Sequence, residues 1–293
     1  MRLRRRTWVA AAAGGGLALA TGGALALGDA MTRPALRAAG APPPGLAAEA
    51  VRFETASGDA VSGWFAPGRA GQGAVLLLHG VRGSRHAMVA RALWLHGQGV
   101  ATLAIDLPGH GESPAPRITF GANESHAVPA ALAWLGRRCA GERLGAIGVS
   151  LGAASLVLAR PDPAPAVVVL ESMYPTIEEA VADRLALHAG APAAALAPLL
   201  LWQMPWRLGV STAQLHPIDA LPALRSPLLV AAGAVDRHTT LAETQRLFAA
   251  AQAPERALWI VPGAAHVDLH AFAPPAYEAR VGGFLLGRLR TRA

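Results

Sequence analysis

The sequence predicts an α/β protein with a mostly parallel central sheet and helices on both of its faces. Two observations support this fold class. From about residue 74 onward, short aliphatic runs alternate with longer stretches that favour helix. Strands separated by helix-length segments form right-handed βαβ units, which cover both faces of a parallel sheet. At 293 residues, of which 53% are hydrophobic, the chain can build one large core.

The first predicted elements are two paired strands. Residues 51–55 and 60–65 read as an antiparallel pair, because a Ser-Gly-Asp turn at residues 57–59 joins them. The continuous apolar runs that follow have the length of buried strands. These predicted strands cover residues 74–78, 100–105, 144–149, 166–170, 227–232 and 257–261. The predicted helices between them cover residues 85–97, 124–138 and 153–160.

Residues 173–217 interrupt this alternation. They contain several prolines and a largely apolar stretch, residues 193–204, followed closely by Trp206. In an open α/β sheet such an insertion predicts a helical cap over the site, although ordinary core helices would have the same composition. An apolar cap favours an acyl or other hydrophobic small-molecule substrate.

The N-terminus has the pattern of a targeting segment. Residues 7–28 are uncharged and follow a positive region formed by Arg2, Arg4, Arg5 and Arg6. Small residues at 24–26 and 28–30 would suit cleavage, so residues 1–30 are predicted to be a signal peptide for export to the periplasm or the medium. The alternative is a membrane anchor formed by residues 7–28, whose length suffices to span a bilayer.

The next segment, residues 31–50, is rich in proline and alanine and is predicted to be a linker, so the folded domain would cover residues 51–293. The formal net charge is +7, and all 26 basic residues are arginine. No basic cluster interleaved with aromatic residues occurs in the body of the chain, so nucleic acid is not an expected partner. A single cysteine excludes a multi-cysteine metal site, and no nucleotide-binding motif has its supporting context. We therefore expect no metal and no cofactor.

The most informative motif is Gly148-Val149-Ser150-Leu151-Gly152. It has the form G-x-S-x-G and lies between a predicted strand and a helix, which is the context of a nucleophile elbow. Such a turn lifts the serine hydroxyl clear of the sheet edge, and its flanking glycines leave room for the backbone. Ser150 is therefore the candidate nucleophile.

A nucleophilic serine needs a base and an acid that orients the base. His266 lies in a loop of small residues after the last predicted strand, and Asp236 directly follows the strand at 227–232. Glu171, after the strand at 166–170, is a second candidate for the acid. Asp268 is too close to His266 in sequence to orient it easily and is expected to be a solvated loop residue.

The developing oxyanion needs two backbone amides. Leu151, immediately after the nucleophile, would supply one, and Val81, in the loop after the strand at 74–78, would supply the other. His79 is expected to brace this loop rather than to act as the base.

Together these segments resemble the α/β-hydrolase superfamily over about residues 51–290. The resemblance rests on five points in the expected order: the pair 79–80, the turn 106–113, the elbow 148–152, Asp236 and His266. Residues 171–179 also resemble the serine-aminopeptidase-like group of that superfamily. In relatives a hydrophobic residue and a proline commonly follow the acid, whereas Arg237-His238-Thr239-Thr240 stands here.

The resemblance implies a serine hydrolase that cleaves a carboxylic ester or related acyl bond through an acyl-enzyme. A peptidase or amidase and a thioesterase would use the same machinery and remain close alternatives. A protein of a different class, one that binds a hydrophobic ligand without catalysis, could share the fold. A complete Ser150, Asp236 and His266 set argues against that interpretation.

Overall fold

Ten strands occur among residues 21–290, the part of the chain that the structure, a computed structural model, describes. Most of them are short and apolar, as expected for strands that helices cover on both faces. They are β1 (Ala35–Leu36), β2 (Glu49–Glu54), β3 (Ala60–Ala66), β4 (Ala74–Leu78), β5 (Ala101–Ile105), β6 (His110–Gly111), β7 (Leu144–Val149), β8 (Val167–Glu171), β9 (Leu228–Gly233) and β10 (Arg256–Val261).

Eight of these strands form one sheet in the order β10-β9-β8-β7-β4-β5-β3-β2. The six strands from β10 to β5 run parallel, whereas β3 pairs antiparallel with both β5 and β2. The predicted fold class, a mostly parallel sheet in an α/β protein, is therefore confirmed. All carboxyl ends of the parallel strands meet at one edge, where ligands bind in such sheets.

Helices cover both faces of the sheet. The helices are α1 (residues 21–32), α2 (Val89–Gly97), α3 (Ala122–Arg138), α4 (Leu151–Leu158), α5 (Ile177–Ala189), α6 (Ala197–Leu201), α7 (Met204–Leu208), α8 (Pro217–Ala220), α9 (Leu241–Ala250), α10 (Leu269–Phe272) and α11 (Pro274–Leu289). One buried cluster joins α3, α4 and α9 to the sheet, and a second joins α2 and α11 to the opposite face. The two clusters form the core on either side of the strands.

The insertion predicted at 173–217 is helical. Helices α5 to α8 lie between β8 and β9 in the chain. Apolar side chains of this insertion, including Ile177, Leu201 and Met204, form a third cluster of their own. A small separate core allows the insertion to hold its shape beside the sheet while α5 lies next to the carboxyl ends of the strands.

Helix α1 is docked on this insertion. Gln203 Nε2 donates a hydrogen bond to the Ala24 carbonyl at 3.0 Å, and a Cβ on Gly28 would collide with the Gln203 side chain. The Asp29 carboxylate forms ion pairs with Arg117 at 2.7 Å and Arg207 at 3.2 Å. These contacts place α1 against α7 and close to the carboxyl ends of the parallel strands.

Residues 31–50, predicted to be a linker, form contacts with the rest of the fold. Strand β1 pairs in parallel with β6, and Ile118 N donates to the Thr32 carbonyl at 2.9 Å. Of the segment predicted to be a signal peptide or anchor, residues 1–20 lie outside the described residues, and the remainder belongs to α1. Among residues 21–290 no helix has both the length and the hydropathy needed to cross a membrane.

Candidate active site

Ser150 lies at a sharp turn between β7 and α4. Its φ is +50° and its ψ is −111°, a backbone conformation that a residue with a Cβ rarely adopts. Its amide donates to the Glu171 carbonyl at 2.7 Å, which fixes the turn to the end of the neighbouring strand. The predicted elbow is thus present as a strained position, and strain of this kind persists only where the surrounding structure imposes it.

The glycines that flank Ser150 are required by close backbone contacts. A Cβ on Gly148 would lie 2.7 Å from Ala153 Cα, and one on Gly152 would collide with the Leu78 carbonyl. Neither neighbour can move away, because one is part of α4 and the other ends a buried strand. The elbow therefore depends on both glycines of the motif.

His266 and Asp236 meet beyond the ends of β9 and β10. His266 Nδ1 lies 2.8 Å from Asp236 Oδ2, while Asp236 Oδ1 accepts hydrogen bonds from the amides of His238 at 2.8 Å and Thr239 at 3.0 Å. Burial acts to raise the pKa of Asp236, but the hydrogen bond and charge of His266 and the two amides together lower it below its ordinary value. An ionised Asp236 holds the proton on Nδ1 and leaves Nε2 free to accept one.

Ser150 and His266 line the same cavity. Among the described residues no hydrogen bond joins the Ser150 hydroxyl to His266, so the two groups share a space without a direct bond. Contacts of this kind are often loose without substrate and tighten in the reacting complex. The arrangement brings together the three side chains that the sequence singled out.

His238 is a neighbour that the sequence did not identify as part of the site. Its ring stacks on that of His266, with ring centroids 4.8 Å apart and planes at 11°. Burial, followed by the charges of His266 and Arg184, lowers the pKa of His238. The signal was present in the chain, since His238 falls in the loop that departs from the pattern of relatives after Asp236.

The loop after β4 lies directly against Ser150. A Cβ on Gly80 would be 3.6 Å from Ser150 Cβ, and Val81 follows it in the wall of the cavity. On the other side, Leu151 begins α4, where backbone amides are not used by the helix itself. The two predicted oxyanion donors therefore belong to segments that border Ser150, and the positive end of the helix dipole favours an anion there.

His79 braces this loop. Its Nδ1 lies 2.7 Å from the Gly80 carbonyl, and its Nε2 accepts a hydrogen bond from Leu107 N at 3.1 Å. Burial and the neighbouring His110 lower the pKa of His79 to about 3, so the ring is neutral at physiological pH. With both ring nitrogens engaged, His79 holds the loop and has no nitrogen available to act as the base.

Glu171 does not contact His266. Its carboxylate pairs with Arg91 at 2.6 Å and accepts the Tyr277 hydroxyl at 2.5 Å, and both charged side chains are only 1% exposed. Arg91 also pairs with Asp268 at 2.9 Å, two residues beyond His266. The interpretation of Glu171 as a second candidate for the acid is therefore wrong, and Asp268 belongs to an ion-pair network instead of being merely solvated.

Ser150 lines two cavities. The first, about 260 Å³, is lined by residues of α1, α4 and α5 and is called the apolar cavity here. Its lining includes Ala30, Met31, Phe120, Tyr174, Ile177 and Val181. The second, about 380 Å³, is called the polar cavity because Arg91, His238, His266 and Asp268 add polar groups to a lining that is otherwise mostly apolar. Arg184 and Val81 line both. Ser150 thus lies where an apolar chain and a polar group of one molecule could meet.

Among residues 21–290 no three His, Cys, Asp or Glu side chains are grouped so that they could hold a metal ion. Asp106 and His110 lie close together in one turn and could be taken for metal ligands, but both form hydrogen bonds within the protein. Asp106 accepts the amides of Arg85 at 2.7 Å and Glu112 at 2.8 Å and so closes the turn. The site residues nearest to Ser150 are suited to proton transfer and covalent catalysis.

Comparison with known proteins gives a consistent result. A model of the alpha/beta hydrolase family matches residues 75–280. An uncharacterized protein of Mycobacterium tuberculosis is 32% identical over 225 residues, which cover 74% of this chain and 72% of that protein. The narrower resemblance to the serine-aminopeptidase-like group remains a prediction.

Solved structures show the same fold. The Pyrococcus furiosus esterase Pf2001 is 24% identical, with a TM-score of 0.72, and the match covers 89% of this chain and 99% of the esterase. A dienelactone hydrolase from Anabaena variabilis is 21% identical, with a TM-score of 0.58, over 83% of this chain and 98% of that enzyme. At these identities the likeness establishes the fold, and the reaction has to be inferred from the site.

The Arg91–Glu171 pair gives a first testable prediction. Arg91→Met removes the guanidinium and leaves the Glu171 carboxylate buried without its partner, so the free energy of unfolding should fall by about 3–5 kcal/mol. The control is Arg246→Met, which breaks an ion pair with Glu179 where both partners are more exposed; it should cost no more than about 1 kcal/mol. Urea unfolding of both variants measures the difference, and equal losses would contradict the prediction.

Proposed function

This chain belongs to the α/β-hydrolase family, and we propose that it is a serine hydrolase that cleaves a carboxylic ester through an acyl-enzyme. The observation that carries the proposal is the placement of Ser150 on a strained elbow, in one cavity with His266, whose Nδ1 is paired with the buried Asp236. A serine raised in this way next to an oriented imidazole is suited to nucleophilic attack.

In the proposed reaction, His266 Nε2 takes the proton from the Ser150 hydroxyl while Oγ attacks the acyl carbonyl carbon. The carbonyl oxygen becomes an oxyanion, which the amides of Leu151 and Val81 stabilise. The tetrahedral intermediate collapses, the bond to the alcohol breaks, and the imidazolium returns the proton to the departing alkoxide. Asp236 stabilises the imidazolium without accepting its proton.

Water completes the cycle. His266 removes a proton from a water molecule, which attacks the acyl carbon of the Ser150 ester. The second tetrahedral intermediate releases the carboxylic acid as the proton returns to Ser150 Oγ. The enzyme ends each turnover in its starting protonation state, so the mechanism consumes one ester and one water and needs no cofactor.

The two cavities suggest how the ester lies. The apolar cavity is suited to the acyl chain, since aliphatic and aromatic side chains form most of its wall. The alcohol portion would then occupy the polar cavity beside His266, which must protonate it. A hydrophobic acyl group is therefore the proposed substrate feature.

Substitution of the nucleophile tests the reaction directly. Ser150→Ala should lower kcat/KM for p-nitrophenyl esters by at least about 10⁴-fold, because no acyl-enzyme can form. Asp236→Asn should lower kcat by about 10⁴-fold through loss of the correct histidine tautomer. Initial rates on the full chain measure both effects. Ser125→Ala, whose hydroxyl bonds only within α3, serves as the control.

Three outcomes separate the alternatives. Loss of activity in Ser150→Ala but not in Ser125→Ala supports the esterase. Turnover of amides or thioesters in preference to esters would assign the same machinery to a different acyl bond. Binding of a hydrophobic ligand without any turnover, unchanged in Ser150→Ala, would replace the enzyme with a binding protein.

Helix α1 supplies a prediction about acyl length. Met31 lines the apolar cavity, so Met31→Trp should fill part of it and lower kcat/KM for octanoyl relative to butyryl esters by at least about tenfold. The matched control is Leu27→Trp, one turn earlier on the same helix and 42% exposed. Rates across a series of p-nitrophenyl esters report the shift. The same shift in both variants would show that α1 acts on the fold and not on the substrate.

A further inference from the structure

Arg184 is a cation at the candidate active site without a matching anion. It lies on α5, and its side chain lines both the apolar and the polar cavity, as Ser150 does. The side chain is half-buried, between the insertion and the carboxyl ends of the sheet. Its guanidinium therefore stands close to the junction at which the proposed ester would be cleaved.

Within residues 21–290 no carboxylate forms an ion pair with Arg184. The hydrogen bond that it makes there runs from Nη1 to the Ala180 carbonyl of its own helix at 3.1 Å. Burial lowers the pKa of Arg184 below its ordinary value, which shows that the charge has lost hydration. A guanidinium is charged at any physiological pH, and beyond the bond to Ala180 its donors have no hydrogen-bond partner among residues 21–290.

The acids nearest to Arg184 are engaged elsewhere. Asp236 is held by His266 and by two backbone amides. Asp183, the preceding residue on α5, lies against Glu243, and burial raises the pKa of Asp183 and takes that of Glu243 to about 7. Asp236 and Asp183 both act on Arg184 as nearby charges, but within residues 21–290 neither of them forms an ion pair or a hydrogen bond with its guanidinium.

Arg91 is a second arginine close to Ser150, and its guanidinium is fully paired with carboxylates. It also lines the polar cavity, yet Glu171 and Asp268 pair with it at 2.6 and 2.9 Å. Partly buried charges in proteins are usually paired in this way because unpaired ones lose hydration without compensation. Arg184 is more exposed than Arg91 and has no such carboxylate within residues 21–290, so a ligand in the two cavities that it lines can supply one.

We propose that Arg184 binds an anionic group of the substrate, a carboxylate or a phosphate, on the alcohol side of the scissile ester. This inference rests on the proposed esterase function and specifies its substrate class as an amphiphile with an apolar acyl chain and an anionic alcohol portion. Arginine binds both anions through paired N–H donors, and such charge-assisted bonds are stronger than neutral ones.

A pair of esters with one acyl group tests the proposal. Butyryl esters of 4-nitrophenol and of 3-carboxy-4-nitrophenol differ only in a carboxylate on the leaving group, and a phosphate-bearing analogue forms the third arm. The wild type should prefer an anionic ester, and Arg184→Gln should lower the ratio of anionic to neutral kcat/KM by about 10–100-fold, mainly through KM. Arg184→Lys should retain part of the preference.

The control is Arg246→Gln, which removes an exposed arginine that is paired with Glu179. It should leave the ratio of the two kcat/KM values as in the wild type. An unchanged ratio in Arg184→Gln, or the same fall in both variants, would overturn the proposal. The phosphate and carboxylate arms show which of the two anions the site prefers.

A binding measurement keeps this test separate from that of the esterase. Calorimetry with octyl phosphate, octanoate and octanol uses Ser150→Ala and the double variant that adds Arg184→Gln. Tighter binding of the anionic amphiphiles that depends on Arg184 would support the proposal even if no ester were turned over. Equal binding of all three ligands to both chains would refute it, whatever the esterase assays show.

Discussion

A single buried guanidinium, that of Arg91, links the elbow at Ser150 to the loop that carries His266. It pairs with Glu171 at the end of β8 and with Asp268 in the loop that carries His266, and its Nε donates to the Tyr277 hydroxyl on α11 at 3.0 Å. The Glu171 backbone in turn accepts the Ser150 amide. A displacement of either segment would leave a buried charge without a partner, which costs several kcal/mol. The relative position of Ser150 and His266 therefore depends on groups that take no part in the proposed reaction.

The parts of the fold that the sequence predicted are those with local causes. Continuous apolar runs indicated the parallel strands, and the spacing of two glycines around a serine indicated the elbow. Those glycines are needed because they lie against the backbone of Ala153 and Leu78. Asp236 and His266 could be identified because each follows a strand at the edge where parallel strands end. These features need only neighbouring residues to be recognised.

The remaining features depend on distant residues. Arg91 and Glu171 are 80 positions apart, and nothing near either residue indicates the other. Helix α1 has the composition of a leader segment, and nothing in its own sequence indicates that it docks against Gln203 and Arg207. Glu171 was a second candidate for the acid because the sequence shows that it follows a strand. The sequence does not show that its carboxylate pairs with Arg91. The only indication of His238 in the sequence is that the loop after Asp236 differs from that of relatives.

The docking of α1 also has a consequence for how the chain is made. Gln203 lies 179 positions after Ala24, the residue whose carbonyl it binds. At translation rates of about 5–20 residues per second, the ribosome needs roughly 10–40 s to add that length of chain. The elbow at Ser150 is thus synthesised before Gln203 and Arg207, which hold α1 and with it Met31 in the wall of the apolar cavity. During this interval α1 has been synthesised but the residues on which it docks have not, so the wall of the apolar cavity is completed late in translation.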